Sequence, residues 1–224
     1  MNLTELKTSL EKVLSPILEK SGSIVFSSAS SIIKGDLYIL GLNPGGEVNI
    51  SIKQVLDELP FKTRNAYLDE RWGNRKNQHY NVGNHPLQKN YIELIKTLGF
   101  DVRSVFSSNL IFTRSRNQKG ANYPYNADLC WPVHKEFIQI VDPDHLLVFG
   151  NSKISPYQYI KNKYSLELKD YKESGHGNWK CYYCSGEIEG RRRSLIGIPH
   201  LSRYYITYHE DVIDWIKLKI SKIE

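Results

Sequence analysis

The sequence predicts an α/β fold, a three-layer α/β/α sandwich built on a central, mostly parallel sheet of four strands. Two observations carry this expectation. Short apolar runs that end at glycine alternate along the chain with stretches whose apolar residues recur at helical spacing. That alternation is the pattern of strands buried on both faces beneath crossover helices. A length of 224 residues with a hydrophobic fraction of 40% suits one domain spanning residues 1–224, with enough apolar surface for a buried core.

Taken in order, Leu6, Leu10, Val13, Leu14 and Ile17 fall on one helical face, and Pro16 ends or kinks that helix. Residues 37–40 form an apolar run between Gly35 and Gly41, read as a buried strand entering a sharp turn at Asn43-Pro44-Gly45-Gly46. Residues 61–85 are polar and rich in Asn, Arg and aromatics, a long loop of the kind that is usually functional or mobile. Leu87, Tyr91, Leu94, Ile95 and Leu98 mark a helix stopped by Gly99. Residues 105–112 read as a strand, Phe137, Ile138 and Val141 as part of a helix, and residues 145–149 as a strand closed by Gly150. A helix is expected over residues 157–164, followed by two strands at 179–185 and 193–198 joined by a turn. Thr207 and Glu210 have the spacing of a capping box, opening a last helix with Val212, Ile216 and Ile220 on one face.

Composition narrows the classes. No apolar run approaches the roughly 20 residues that span a membrane. The first residues mix acids and bases where a signal peptide needs an apolar stretch. Three cysteines do not make a disulfide scaffold. The expectation is a cytoplasmic, monomeric protein without a membrane partner. The net charge is +6, and 15 of the residues are tyrosine. Basic charge among aromatics is what neutralising phosphates and stacking on bases requires. It also describes an ordinary solvated surface.

In a parallel sheet, ligands bind beyond the carboxyl ends of the strands, so residues 41–46, 109–116, 150–153 and 199–204 are the segments to inspect. The glycines at 41, 45 and 46 let backbone approach a ligand closely, and Pro44 fixes a turn that projects the Asn43 side chain. Asn-Pro-Gly-Gly is also simply a good turn.

Gly41-Leu42-Asn43-Pro44-Gly45 resembles the GINPG motif of the mismatch-specific uracil and thymine glycosylases, a branch of the uracil-DNA glycosylase superfamily. Ile198-Pro199-His200-Leu201-Ser202-Arg203 resembles the second superfamily motif, HPSP in some branches and NPSGLSR in the mismatch-specific one. Between them, Ser108-Asn109-Leu110 ends a strand where several members carry a base-reading Asn, and Leu147-Val148-Phe149-Gly150 resembles the third strand. The likeness runs from Asp36 to the last motif, in order.

The resemblance implies a monofunctional DNA glycosylase that flips a damaged, mispaired or modified base and hydrolyses its bond to deoxyribose. It assigns Asn43 to position water and His200 to stabilise the leaving base. Gly41, Leu42, Gly45 and Asn109 would bind the base, with an aromatic such as Tyr80 or Trp72 stacked on it. Leu201, Ser202, Arg203 and Tyr204 would enter the gap in the duplex. The most efficient uracil-specific branch has Asp where this chain has Asn43, and an amide cannot accept a proton as a carboxylate does. The loop also lacks the second proline of HPSP and is one residue shorter than NPSGLSR.

Arg191, Arg192 and Arg193 are either a solvated cluster or a phosphate contact. Cys181 and Cys184 fall on opposite faces of a strand, or join Cys130 and His176 in a zinc site. No metal or cofactor is expected. Two rival readings stand beside the enzyme. One is a non-catalytic module of the same fold that recognises a modified base in DNA. The other is a hydrolase of free nucleosides or nucleotides, which would need neither a wedge loop nor excess positive charge.

Overall fold

In the computed structural model, which describes residues 2–46, 48–73, 79–116 and 118–221, the strands are β1 (Leu37–Gly41), β2 (Phe106–Asn109), β3 (His145–Phe149), β4 (Leu168–Glu173), β5 (Lys180–Ile188) and β6 (Arg191–Ile198). They form one sheet in the order β2-β1-β3-β6-β5-β4. The pairings β1 with β2, β1 with β3 and β3 with β6 are parallel. Strands β5 and β4 extend the sheet antiparallel. The sheet therefore has six strands, not four: the four parallel strands carry an antiparallel extension at one edge. β4 was not foreseen, because its sequence Leu-Lys-Asp-Tyr-Lys-Glu is charged and half exposed, as edge strands commonly are.

Seven helices cover the sheet among the described residues: α1 (Leu3–Val13), α2 (Ile52–Glu58), α3 (Ala66–Asp69), α4 (Pro86–Thr97), α5 (Tyr125–Val141), α6 (Pro156–Lys163) and α7 (Glu210–Ser221). Side chains alternate across a strand, and this splits the core in two. Tyr38, Leu40, Phe106, Val148 and Leu195 pack with Leu6 and Leu10 of α1, Leu56 of α2, Phe137 of α5 and Ile160 of α6. On the other face Ile39, Leu147, Phe149 and Ile198 pack with Tyr67 of α3, Tyr91 and Leu94 of α4, and Val212 and Ile216 of α7. Helices thus lie on both faces of a mostly parallel sheet.

Local sequence explains most boundaries. α1 starts at an Asn2 capping box with Glu5 and stops at Val13, ahead of a 3-10 turn at Ser15–Ile17 that contains Pro16. α4 begins with Pro86 at its first position, where the missing N–H costs nothing. Gly99 follows it at φ 88°, the left-handed geometry of a helix stop. Thr207 does not cap α7. It sits in a 3-10 turn, Ile206–Tyr208, and its hydroxyl donates to Glu93 Oε2 at 3.3 Å. Residues 61–85 contain α3 rather than only a loop, and residues 74–78 lie outside the described residues.

Cys181 and Cys184 are buried and free. Cys181 belongs to one core cluster and Cys184 to the other. Among the described residues no group of three or more His, Cys, Asp or Glu is arranged to hold a metal ion. No helix among them is long and apolar enough to cross a membrane.

Candidate functional site

The carboxyl ends of the four parallel strands bring together Gly41 on β1, Asn109 on β2, Phe149 on β3 and, two residues beyond β6, His200. Gly41 pairs in register with Asn109. A Cβ at Gly41 would overlap Asn109 Oδ1 and lie 2.8 Å from two carbons of the Phe149 ring. Only a hydrogen there leaves room for both side chains. Asn109 is 5% exposed, and its amide makes no hydrogen bond among the described residues. A buried amide costs free energy unless something pairs with it, so this side chain is open to solvent or to a bound group.

Asn43 is fixed differently. The segment after β2 zips onto the segment after β1: Leu110 N donates to Gly41 O at 2.8 Å, Ile111 N to Leu42 O at 2.9 Å and Ser115 N to Pro44 O at 3.1 Å. Across this seam Asn43 Nδ2 donates to Pro44 O at 2.8 Å and to Ser115 Oγ at 2.9 Å. These bonds consume the amide donors and set its orientation. Oδ1 accepts nothing from the described residues. Asn43 therefore presents an acceptor, the group that orients a water through one of its O–H bonds. Arg114 Nη1 donates to Gly45 O and braces the same turn.

His200 is a donor. Its Nδ1 accepts from Ser202 N at 3.2 Å and lies 2.8 Å from Ser202 Oγ. A backbone N–H can only donate, so Nδ1 is unprotonated and the proton of the neutral ring sits on Nε2. Burial against Phe149, whose ring meets His200 edge-on at 5.3 Å, and the nearby Arg203 charge push the imidazole down to about 4. The ring is neutral at physiological pH. Nε2–H makes no bond among the described residues.

The other expected residues divide. Gly45 is open, with nothing within 4 Å of where a Cβ would lie, and Gly46 takes φ 80°, so this turn leaves backbone accessible. Leu42 turns its side chain to the core cluster of α1 and α5, and only its backbone faces the seam. Tyr80 is partly exposed and meets His85 edge-on at 5.2 Å. It lines a groove beside α4 whose lining includes neither Gly41 nor Asn109. Trp72 is tied to Glu70 Oε2 at 3.0 Å and packs against Tyr67 at 5.5 Å.

The loop after β6 corrects the expected wedge. Leu201 is 0% exposed, and its carbonyl accepts from Asn90 Nδ2 at 2.6 Å. Tyr204 is also fully buried, donates to Ser174 O at 2.6 Å and stacks on His209 at 5.0 Å. Neither side chain can enter a duplex without unpacking the core. Of the four, Ser202 is spent on His200, and Arg203 alone is exposed.

The arginine cluster lies at the wrong end. β6 begins at Arg191 and ends at Ile198, so Arg191–Arg193 sit about 20 Å from the site, at roughly 3.3 Å per strand residue. Arg193 is 4% exposed and bonds Pro143 O at 2.9 Å and Asp142 Oδ1 at 2.9 Å. Arg191 pairs with Asp142 at 2.7 Å and also with Asp144. These two arginines close the far end of the sheet.

Sequence reasoning missed Ser115 and Phe149. Ser115 gave no local signal, since its role depends on two segments 72 residues apart. Phe149 reads as one more apolar residue of a buried strand. No protein-family model and no curated protein matches the chain.

Proposed function

We propose that the chain is a DNA N-glycosylase of the uracil-DNA glycosylase type, acting on a damaged, mispaired or modified base after flipping it from the helix. The observation that carries this reading is a set of three polar groups with unspent hydrogen bonds beyond the carboxyl ends of β1, β2 and β6. They are an acceptor at Asn43 Oδ1, a near-buried amide at Asn109 and a neutral donor at His200 Nε2. A base edge takes both halves of the Asn109 amide. His200 Nε2–H supports the oxygen on which charge gathers as the C1′–N bond breaks and its electron pair leaves with the base. Water held by Asn43 then adds to the oxocarbenium-like C1′ and releases its proton to solvent.

A specific observation keeps a second reading in view. The residue assigned to the water, Asn43, is an amide, and residues 41–46 carry no carboxylate. That chemistry also fits a module that recognises a modified base without turnover. Incubation with duplexes carrying uracil, mispaired thymine, deaminated purines or modified cytosines, followed by cleavage at abasic sites, separates the two. Strand breaks at one base support the glycosylase. Tight, selective binding with no product on any duplex supports the module, and neither binding nor product removes both.

A further inference from the structure

Beside the site, α4, the turn at Ile206–Tyr208 and residues 80–84 border an open groove of about 520 Å³. Three tyrosines rim it: Tyr80, Tyr205 and Tyr208. Tyr208 is 81% exposed and Tyr205 47%, and their rings stack with centroids 5.9 Å apart and planes 22° from parallel. Among the described residues the pair has no apolar cover, so a flat aromatic surface is left in water.

Asn90, 1% exposed, is among the residues that line the groove. Its Nδ2 is spent on Leu201 O, while Oδ1 accepts nothing among the described residues. An acceptor on a lining residue of an aromatic-rimmed groove suits a planar ligand that carries N–H donors. Lys89 and Glu93 both line the groove, and Glu93 also accepts from Thr207. Their charges cancel, which suits a neutral base better than a run of phosphates. Asn90 also ties the groove to the residue next to His200.

We propose that this groove seats an unpaired base of the DNA strand flanking the target nucleotide, stacked on Tyr208 and Tyr205 and reached by Asn90 Oδ1. The assignment rests on the glycosylase reading for its substrate class. It gives the strand beside the target the contact that Leu201 and Tyr204, both buried, cannot make. Stacking on tyrosine tolerates any base, so the groove sets a preference for unpaired or opened DNA rather than for a sequence.

The test uses the full-length protein and a single-stranded oligothymidine carrying one 2-aminopurine and no excisable base, so that binding is read without excision. Wild type should quench the fluorophore. Tyr205→Ala with Tyr208→Ala should abolish the quench and raise Kd about tenfold or more, with thermal stability unchanged because both rings are exposed. Tyr208→Phe should retain the quench, since the ring and not the hydroxyl is used. Unchanged Kd in the double variant, no quench by wild type, or loss in Tyr208→Phe equal to that in Tyr208→Ala each overturns the proposal. A groove that instead binds a protein partner would leave oligonucleotide affinity untouched, which is the first of these outcomes. Quenching that persists while no base is excised from any DNA leaves the groove standing and removes the excision reading. Normal excision with an unaltered Kd does the reverse.

Discussion

Two histidines, His200 and His134, are held neutral by burial, and each has its pKa pushed down to about 4. His134 lies inside the core, with Nδ1 2.6 Å from Tyr38 OH and Nε2 3.0 Å from Leu110 O, where it braces the chain just past Asn109. Both folded pKa values lie below the unfolded value near 6.5. Between pH 6.5 and 4 the unfolded chain thus binds more protons, and stability falls as pH falls through that window. Each histidine contributes at most about 1.4 kcal/mol per pH unit there. Urea midpoints at pH 7, 5.5 and 4.5 should decline steeply, and a flat series would show that these rings titrate freely. For the proposed reaction, kcat/KM should show no histidine inflection between pH 6 and 7. Asn43→Ala should cut excision about a hundredfold or more with DNA affinity nearly intact, and normal turnover by that variant would remove Asn43 from the chemistry. The placement of Asn43, Asn109 and His200 at one edge was legible because a parallel sheet delivers its strand ends there. The burial of Leu201 and Tyr204 was not, since a four-residue loop has no periodicity and its direction is fixed by Asn90, 111 residues away.

At the scale of the element, β1 and β3 were readable because each is an apolar run closed by a glycine, β2 only through the apolar residues that flank its Phe-Ser-Ser-Asn, and α4 through its periodicity and its glycine stop. The misses have two causes. α2 and α3, with seven and four residues, are too short to display helical period, and β4 hides its strand character behind charge. What the elements do to the site can be tested at two positions. Gly41→Ala brings a methyl group into Asn109 and Phe149 at the junction of β1, β2 and β3. Overpacking of this kind costs about 1–3 kcal/mol, and because Asn109 must move, base excision should fall further than stability alone explains. Normal activity in a Gly41→Ala protein would mean that the Asn109 position is not critical. Leu201→Ala opens a cavity under the loop after β6, a loss of about 2–5 kcal/mol. Its melting temperature should drop, and activity on duplex and single-stranded DNA should fall together. Loss confined to duplex DNA would restore Leu201 as a wedge.

At the scale of the whole molecule, the net charge of +6 was readable at once, but its placement was not. Many cations are already committed: Arg191 and Arg193 to Asp142, Arg103 to Asp69, Lys172 to Asp211 and Lys219 to Asp170. The edge of the sheet that carries Asn43, Asn109 and His200 differs. Lys153 follows β3 and Arg203 follows β6; both are exposed, and neither forms an ion pair among the described residues. If DNA is the substrate, phosphates meet this rim and not the Arg191–Arg193 end. Removing a cation that neutralises one phosphate should lower the slope of log affinity against log salt by about 0.9 on duplex DNA. Lys153→Ala and Arg203→Ala should therefore each flatten the salt dependence and weaken binding to every sequence alike. Arg192→Ala, which removes an exposed charge at the opposite end, should leave the slope where it was. Replacing Arg193 needs a separate measurement, because it strips a buried partner from Asp142 and from Pro143 O and should lower the melting temperature before it alters binding. A slope that responds to Arg192 but not to Lys153 or Arg203 would turn the molecule around on its DNA and detach the phosphate surface from the strand ends where the proposed chemistry lies.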